Sequence, residues 1–247
     1  MGAGGGNPVA AAGVSGYDRG MAENIELGVD DGTRMAAYVA RPLPPAGDRG
    51  VLVFQEAFGV NAHIRDIAER MAAQGYLAIA PELFHRSGPG FEGDYNDFAG
   101  VRPHMQALTD AGLDADIRAA HGWLVKQKMK RIVSVGFCMG GRVSVRAAAV
   151  EPLAAAASFY GSGLPTLSGL APQIAGRLLL CWGGKDAHIP PEQRREFRDV
   201  LKAGHKPYVE CVFSEAGHGF FCDRRASYHA PSAQVAWPML LAFLKGE

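Results

Sequence analysis

The chain has 247 residues, 48% of them hydrophobic and 20% charged, which is ordinary globular composition with enough apolar material for a substantial core. Lys plus Arg and Asp plus Glu both number 25, so no excess charge points to nucleic acid or to an anionic membrane surface. Four cysteines, Cys138, Cys181, Cys211 and Cys222, occur without any C-x-x-C spacing. That pattern argues against a disulfide framework and for a reducing, cytoplasmic setting.

Residues 1–20 are rich in Gly and Ala and lack the basic start and apolar centre of a signal peptide, so they read as a flexible leader before a single domain over 21–247. Gly6 stands where a myristoylation pattern wants Ser or Thr. No apolar run reaches the length of a transmembrane helix.

Short strands are predicted over 23–27 and 35–40, around the turn Asp30-Asp31-Gly32. A Pro-rich loop follows, and then the uninterrupted apolar run 51–54 reads as a buried parallel strand. Asn61 is placed to cap a helix with Ile64, Ile67, Ala68 and Met71 on one face; Gly75 ends it, and a strand over 76–80 follows. Residues 81–109 carry Pro, Gly and aromatic side chains with weak periodicity, the mark of a functional loop or of short helices. A helix is predicted over 110–128, closing in a basic cluster that suits a helix C-terminus. The unit then repeats: strands over 132–135, 154–160, 178–182 and 208–213, with helices over 139–150, 192–203 and 232–245. Such alternation predicts an α/β fold, a mostly parallel sheet of about eight strands covered by helices on both faces. Functional sites in such sheets form at the carboxyl ends of the strands, and each candidate below falls just after a predicted strand.

The segment Gly136-Phe137-Cys138-Met139-Gly140 is a strand, a sharp turn and the start of a helix. Its glycines suit backbones that approach too closely for a Cβ. The turn lifts Cys138 to the positive end of the new helix, which favours a thiolate, and places the Met139 N–H to bond a developing oxyanion. In hydrolase sheets of this kind the chain order is nucleophile, acid, histidine. Asp186, in Gly183-Gly184-Lys185-Asp186, and His218, in Ala216-Gly217-His218-Gly219, occupy those places. His188 lies close to Asp186 in sequence but reads as loop surface. His218 would exchange a proton with the Cys138 thiol and the leaving group, while Asp186 fixes the imidazole tautomer. Cys138 would attack an acyl carbon, and water would later cleave the thioester. Taken singly, a packed Cys, a turn-forming Asp and a surface His are the plain structural alternatives.

Gln55-Glu56-Ala57-Phe58-Gly59-Val60-Asn61, together with residues 76–84, 136–142, 183–186 and 216–220, resembles the dienelactone hydrolase family, with several separate motifs in register from about residue 50 onward. The resemblance implies an α/β-hydrolase fold. It implies that Glu56 contacts the cysteine and helps generate the thiolate when substrate binds, and that the Ala57 N–H is a second oxyanion donor. A carboxylate beside a thiolate is repulsive, so Glu56 must be protonated or turned to an arginine when the thiolate exists; its structural alternative is an ion pair with Arg142. Family members that cleave dienelactone hold the substrate carboxylate with two arginines. Arg86 matches the first. At the second this chain has Cys222, with Arg224 and Arg225 slightly later; a slipped loop could supply one of them, and Arg224 is the candidate taken here. Tyr160 is expected to line the pocket.

The expected activity is therefore hydrolysis of a lactone or small carboxylate-bearing ester, of carboxymethylenebutenolidase type, in catabolism of aromatic compounds. No cofactor is expected, and no metal, because no His/Cys/Asp cluster shows ligand spacing. The expected partner is a small-molecule ester or lactone, with no nucleic acid and no membrane, in a monomer or small homo-oligomer. A broader carboxylesterase or thioesterase is the alternative within enzymes. A ligand-binding or thiol-redox protein is the alternative outside them.

Overall fold

A computed structural model describes residues 21–45 and 47–246; the expected leader over 1–20 lies outside the described residues. The core element is an eight-stranded sheet ordered β1-β2-β4-β3-β5-β6-β7-β8. β1 (Ala22–Gly28) and β2 (Arg34–Ala40) form an antiparallel hairpin, and β2 runs antiparallel to β4 (Leu77–Pro81). The other pairings, among β3 (Arg49–Phe54), β4, β5 (Arg131–Phe137), β6 (Ala155–Phe159), β7 (Arg177–Gly183) and β8 (Tyr208–Phe213), are parallel. Parallel neighbours need long crossovers, which is why each strand from β3 onward is followed by a helical segment.

The apolar run Val51–Phe54 is wholly buried between β4 and β5. Each such side chain contributes roughly 1.5–3 kcal/mol of burial free energy. α1 (Ala62–Ala72) begins where Asn61 accepts from the His63 and Ile64 amides, and it buries Ile64, Ile67, Ala68 and Met71, with His63 among them. α3 (Asp110–Lys126), α4 (Met139–Val150), α5 (Pro191–Ala203) and α6 (Ala230–Lys245) complete the predicted helices. One segment realises an alternative left open above, and one is an addition to the prediction. α2 (Phe98–Ala107) lies in the block 81–109, and a 3-10 segment covers Leu164–Gln173. Proline at positions 103, 165 and 172 breaks the periodicity that would have revealed them.

Successive side chains on a strand point to opposite faces, and β5 shows how the helices divide. The Ser134 hydroxyl bonds the Ser144 hydroxyl of α4 at 2.8 Å. Three residues on, the Phe137 ring meets His63 of α1 with centroids 5.6 Å apart. α4 and α1 therefore cover opposite faces. The Arg70 guanidinium of α1 lies 3.9 Å from the Trp237 ring of α6, so these two helices share a face. No helix among the described residues is long and apolar enough to cross a membrane.

β3 has its successor β4 on one side and β5 on the other. At such a switch point the connections leave in opposite directions, and a crevice opens beyond the strand ends. Phe54 of β3 is in register with Gly136 of β5. Glu56 and Cys138 follow two residues further along these two strands.

Candidate active site

The turn after β5 is held by close backbone contact. A Cβ on Gly136 would lie 1.9 Å from the Gly140 carbonyl oxygen, and one on Gly140 would lie 2.4 Å from that of Phe54. Both are impossible contacts, so the turn requires glycine at these positions. Cys138 sits between them at φ 54° and ψ −118° as the N-cap of α4. Such backbone costs about 1–3 kcal/mol for a side-chain-bearing residue and persists only where its surroundings enforce it. Here the Cys138 amide donates to the Phe159 carbonyl at 3.0 Å, and its carbonyl accepts from the Gly141 amide at 3.0 Å. The side chain stands partly exposed at the positive end of the helix.

Asp186 follows β7 and His218 follows β8. His218 Nδ1 and Asp186 Oδ2 are 2.9 Å apart, and Asp186 Oδ1 accepts from the His188 amide at 2.8 Å. Burial opposes a charged imidazole, but the bond to Asp186 and the neighbouring Cys138 sulfur outweigh it and raise the His218 pKa to about 10. Burial likewise works against the Asp186 carboxylate, and the His218 contact holds its pKa below the ordinary value. The structure thus brings Cys138, His218 and Asp186 into one chain of contacts. His188 is exposed, as expected, but adds its amide to Asp186 and sets its ring edge-on to His218, with centroids 5.0 Å apart.

Glu56 is fully buried beside this chain. Its Oε1 accepts from Arg225 Nη1 at 3.1 Å, so the ion-pair partner is Arg225 rather than Arg142. Burial raises the Glu56 pKa, against the pull of Arg225 and His218. Tyr160, at φ 39°, is also fully buried and lies edge-on to the His218 ring at 5.1 Å between centroids. Its hydroxyl is close enough to favour the Glu56 carboxylate, yet neither that hydroxyl nor Glu56 Oε2 closes a hydrogen bond of normal geometry. Met139 opens α4, where an amide has no intrahelical acceptor. Ala57 follows Glu56 in the buried turn after β3.

Of the two arginines expected to grip a substrate carboxylate, one is ion-paired and the other exposed. Arg86 donates from Nη1 and Nη2 to both oxygens of the buried Asp116, at 2.9 and 2.8 Å, and from Nε to Asp31 at 2.8 Å. Arg224 is exposed. Arg225 instead turns inward, its guanidinium 5.5 Å from the Phe58 ring and 5.8 Å from the Tyr95 ring. The Arg225 amide bonds back to the Cys222 carbonyl at 3.2 Å. That local turn decides which of two adjacent arginines faces inward, and residue spacing does not encode it.

Two further residues escaped the sequence reading. His63 and Cys222 are buried next to Glu56, and one potential ligand atom from each of the three lies within 4.8 Å of the others. Cys222 Sγ donates to the Tyr95 hydroxyl at 3.3 Å. The only signal was a histidine at a helix N-terminus and a cysteine in place of a basic residue, separated by most of the chain.

Residues 35–247 match the model of the dienelactone hydrolase family. A protein of Escherichia coli (strain K12) named "Putative carboxymethylenebutenolidase" is 36% identical over 97% of this chain and 92% of its own length. A Yersinia pestis protein of the same name is 38% identical over 85% of this chain and 83% of its own length. The crystal structure of a "Putative Dienelactone Hydrolase" from Klebsiella pneumoniae superposes with a TM-score of 0.82 at 35% identity, covering 92% of this chain and 99% of that one.

Proposed function

The chain belongs to the dienelactone hydrolase family and is a hydrolase with the α/β-hydrolase fold, and on that premise we propose that it cleaves lactones or small carboxylate-bearing esters through Cys138, His218 and Asp186. The observation that carries this reading is the contact chain from Cys138 through His218 to Asp186, with the Glu56–Arg225 pair beside it.

In the first half-reaction the Cys138 sulfur attacks the acyl carbon. The amides of Met139 and Ala57 receive the oxyanion, and such preorganised donors are each worth a factor of roughly a hundred or more in rate. His218 gives its proton to the departing oxygen, leaving a thioester. Acylation removes the negative sulfur that helps hold the His218 pKa near 10. The imidazole then becomes a stronger acid, gives up its proton more readily, and can take one from the attacking water. Asp186 keeps Nδ1 occupied, so Nε2 performs both transfers.

Arg225 supplies the substrate-binding charge in this reading. Its fork is only partly used by Glu56, whereas that of Arg86 is engaged by Asp31 and Asp116. An incoming carboxylate would compete for Arg225 and release Glu56 towards the Cys138 thiol. A guanidinium favours such bidentate anions over neutral groups.

The test is mass spectrometry of the quenched enzyme with a slow ester substrate. Acylation of Cys138 that forms and then decays supports the mechanism; full esterase activity in Cys138→Ala would end it. Comparing a dienelactone with a neutral aryl ester tests the arginine. Equal dependence of both on Arg225 would favour the broader esterase.

A further inference from the structure

We propose that Glu56, His63 and Cys222 form a buried binding site for a divalent metal ion of the zinc type. The three side chains come from the turn after β3, the start of α1 and the loop before α6, and each is buried. Their ligand atoms lie within 4.8 Å of one another. A tetrahedral zinc ion holds such atoms roughly 3.3–3.8 Å apart, so the cluster closes on the ion by a contraction of at most about 1.5 Å in any pair.

Two independent features show that the cluster is incomplete as it stands. His63 Nε2 and Glu56 Oε2 are both buried and lack a hydrogen-bond partner. Native interiors rarely leave such atoms unsatisfied, and a shared ion would satisfy both while leaving Glu56 Oε1 on Arg225. The donor set also fits the charge. A carboxylate and a thiolate supply two negative charges and a neutral imidazole none, which balances a dication. Arg70, Arg224 and Arg225 all act electrostatically on His63, so neutral donors alone would not hold a cation there. Burial keeps His63 neutral, the form that coordinates.

On binding, the thiol proton of Cys222 leaves to solvent as the metal–sulfur bond forms. Three protein ligands leave the fourth tetrahedral position to water. A cavity of about 290 Å³, lined by His63, Arg70, Asp223 and Trp237 among others, meets the cluster at His63 and would be the route by which the ion enters. Coordination would hold Glu56 back from Cys138, so the ion would inhibit hydrolysis. That last consequence alone rests on the function proposed above.

The experiment uses the full chain with Cys138→Ser, which removes the thiol of the other thiol–imidazole pair. Chelator-stripped protein is titrated with Zn2+ against a chromophoric chelator, and with Co2+ to read the near-ultraviolet sulfur-to-cobalt band. One equivalent is expected to bind, with that band present. Cys222→Ala and His63→Gln are each expected to weaken binding by roughly a hundredfold or more, and Cys222→Ala to abolish the band, with circular dichroism confirming the fold. Should His63→Gln fail to fold, Cys222→Ala decides alone, since it is a small apolar replacement. Absence of stoichiometric binding, or unchanged affinity in Cys222→Ala, overturns the site. With Cys138 intact, zinc should suppress ester hydrolysis and the Cys222→Ala enzyme should resist it. The binding results stand whether or not the ester reaction does, so the two proposals fail separately.

Discussion

Two arginine clusters border the carboxyl ends of the strands, and they differ in how fully their polar atoms are used. In one, Arg86 spends its guanidinium on Asp116 and Asp31, and His85 Nε2 meets the same buried Asp116 at 3.1 Å. In the other, Arg225 makes one bond to Glu56, while Glu56 Oε2, the Tyr160 hydroxyl and His63 Nε2 go unpartnered. A saturated network is a structural brace. A network with open valences in a crevice is a place for something to bind.

The largest effect expected from this contrast is in the open region. Cys138→Ala should lower kcat/KM for any ester by at least about 10⁴-fold, since removing the proposed nucleophile would leave only the proposed oxyanion donors and binding. Its melting temperature should stay within a few degrees of the parent, and stopped-flow hydrolysis with calorimetry reads both. The saturated region should behave in reverse. Arg86→Ala leaves Asp116 buried without its main counter-ion and should cost about 3 kcal/mol, or roughly 6–12 °C for a chain of this size. Its kcat/KM should change by less than about threefold. A loss of activity on carboxylate substrates with no loss of stability would exchange the roles of the two arginines.

Arg225→Gln sharpens the comparison from the other side. It should lower kcat/KM for a carboxylate-bearing lactone by about 100-fold, the worth of a charge-assisted pair. A neutral aryl ester should lose less than about tenfold, so the ratio of the two rates is the quantity to measure. The smallest effect concerns pH. The folded His218 pKa, about 10, lies above the ordinary 6.5. Its contribution to stability is therefore fully present below about pH 6.5 and is lost as pH rises through 10. The melting-temperature advantage of the parent over His218→Gln should shrink across that interval. In Cys138→Ala, the His218 imidazole followed by NMR should titrate below the parent value.

The sequence carried the repeating unit well. α4 and β8 span the residues expected, because each is bounded by a sharp glycine turn or a clear apolar alternation. β5 runs longer than the apolar run alone implied, since Gly136 and Phe137 still pair with β3 and β6. α2 was hidden by Pro103 and by having only Val101 buried, although Asp97, which accepts from the Gly100 amide, was a legible cap. At the site, Cys138, Asp186 and His218 were legible because strand ends place them. Arg225 was not, because its direction follows from a turn at Cys222. His63 was not either, since it reads as one more residue on a buried helix face. Which arginines were already taken depended on Asp116, whose pairing no local pattern announces.

The turn around Cys138 has a consequence for how such proteins diversify. Its shape is set by backbone contacts at Gly136 and Gly140 and by the Phe159 carbonyl, none of which involves the side chain at position 138. The turn is a socket indifferent to the atom it presents. Exchanging sulfur for oxygen there would change the reactivity of the group presented without reshaping the scaffold, so the two chemistries stand one atom apart on this turn.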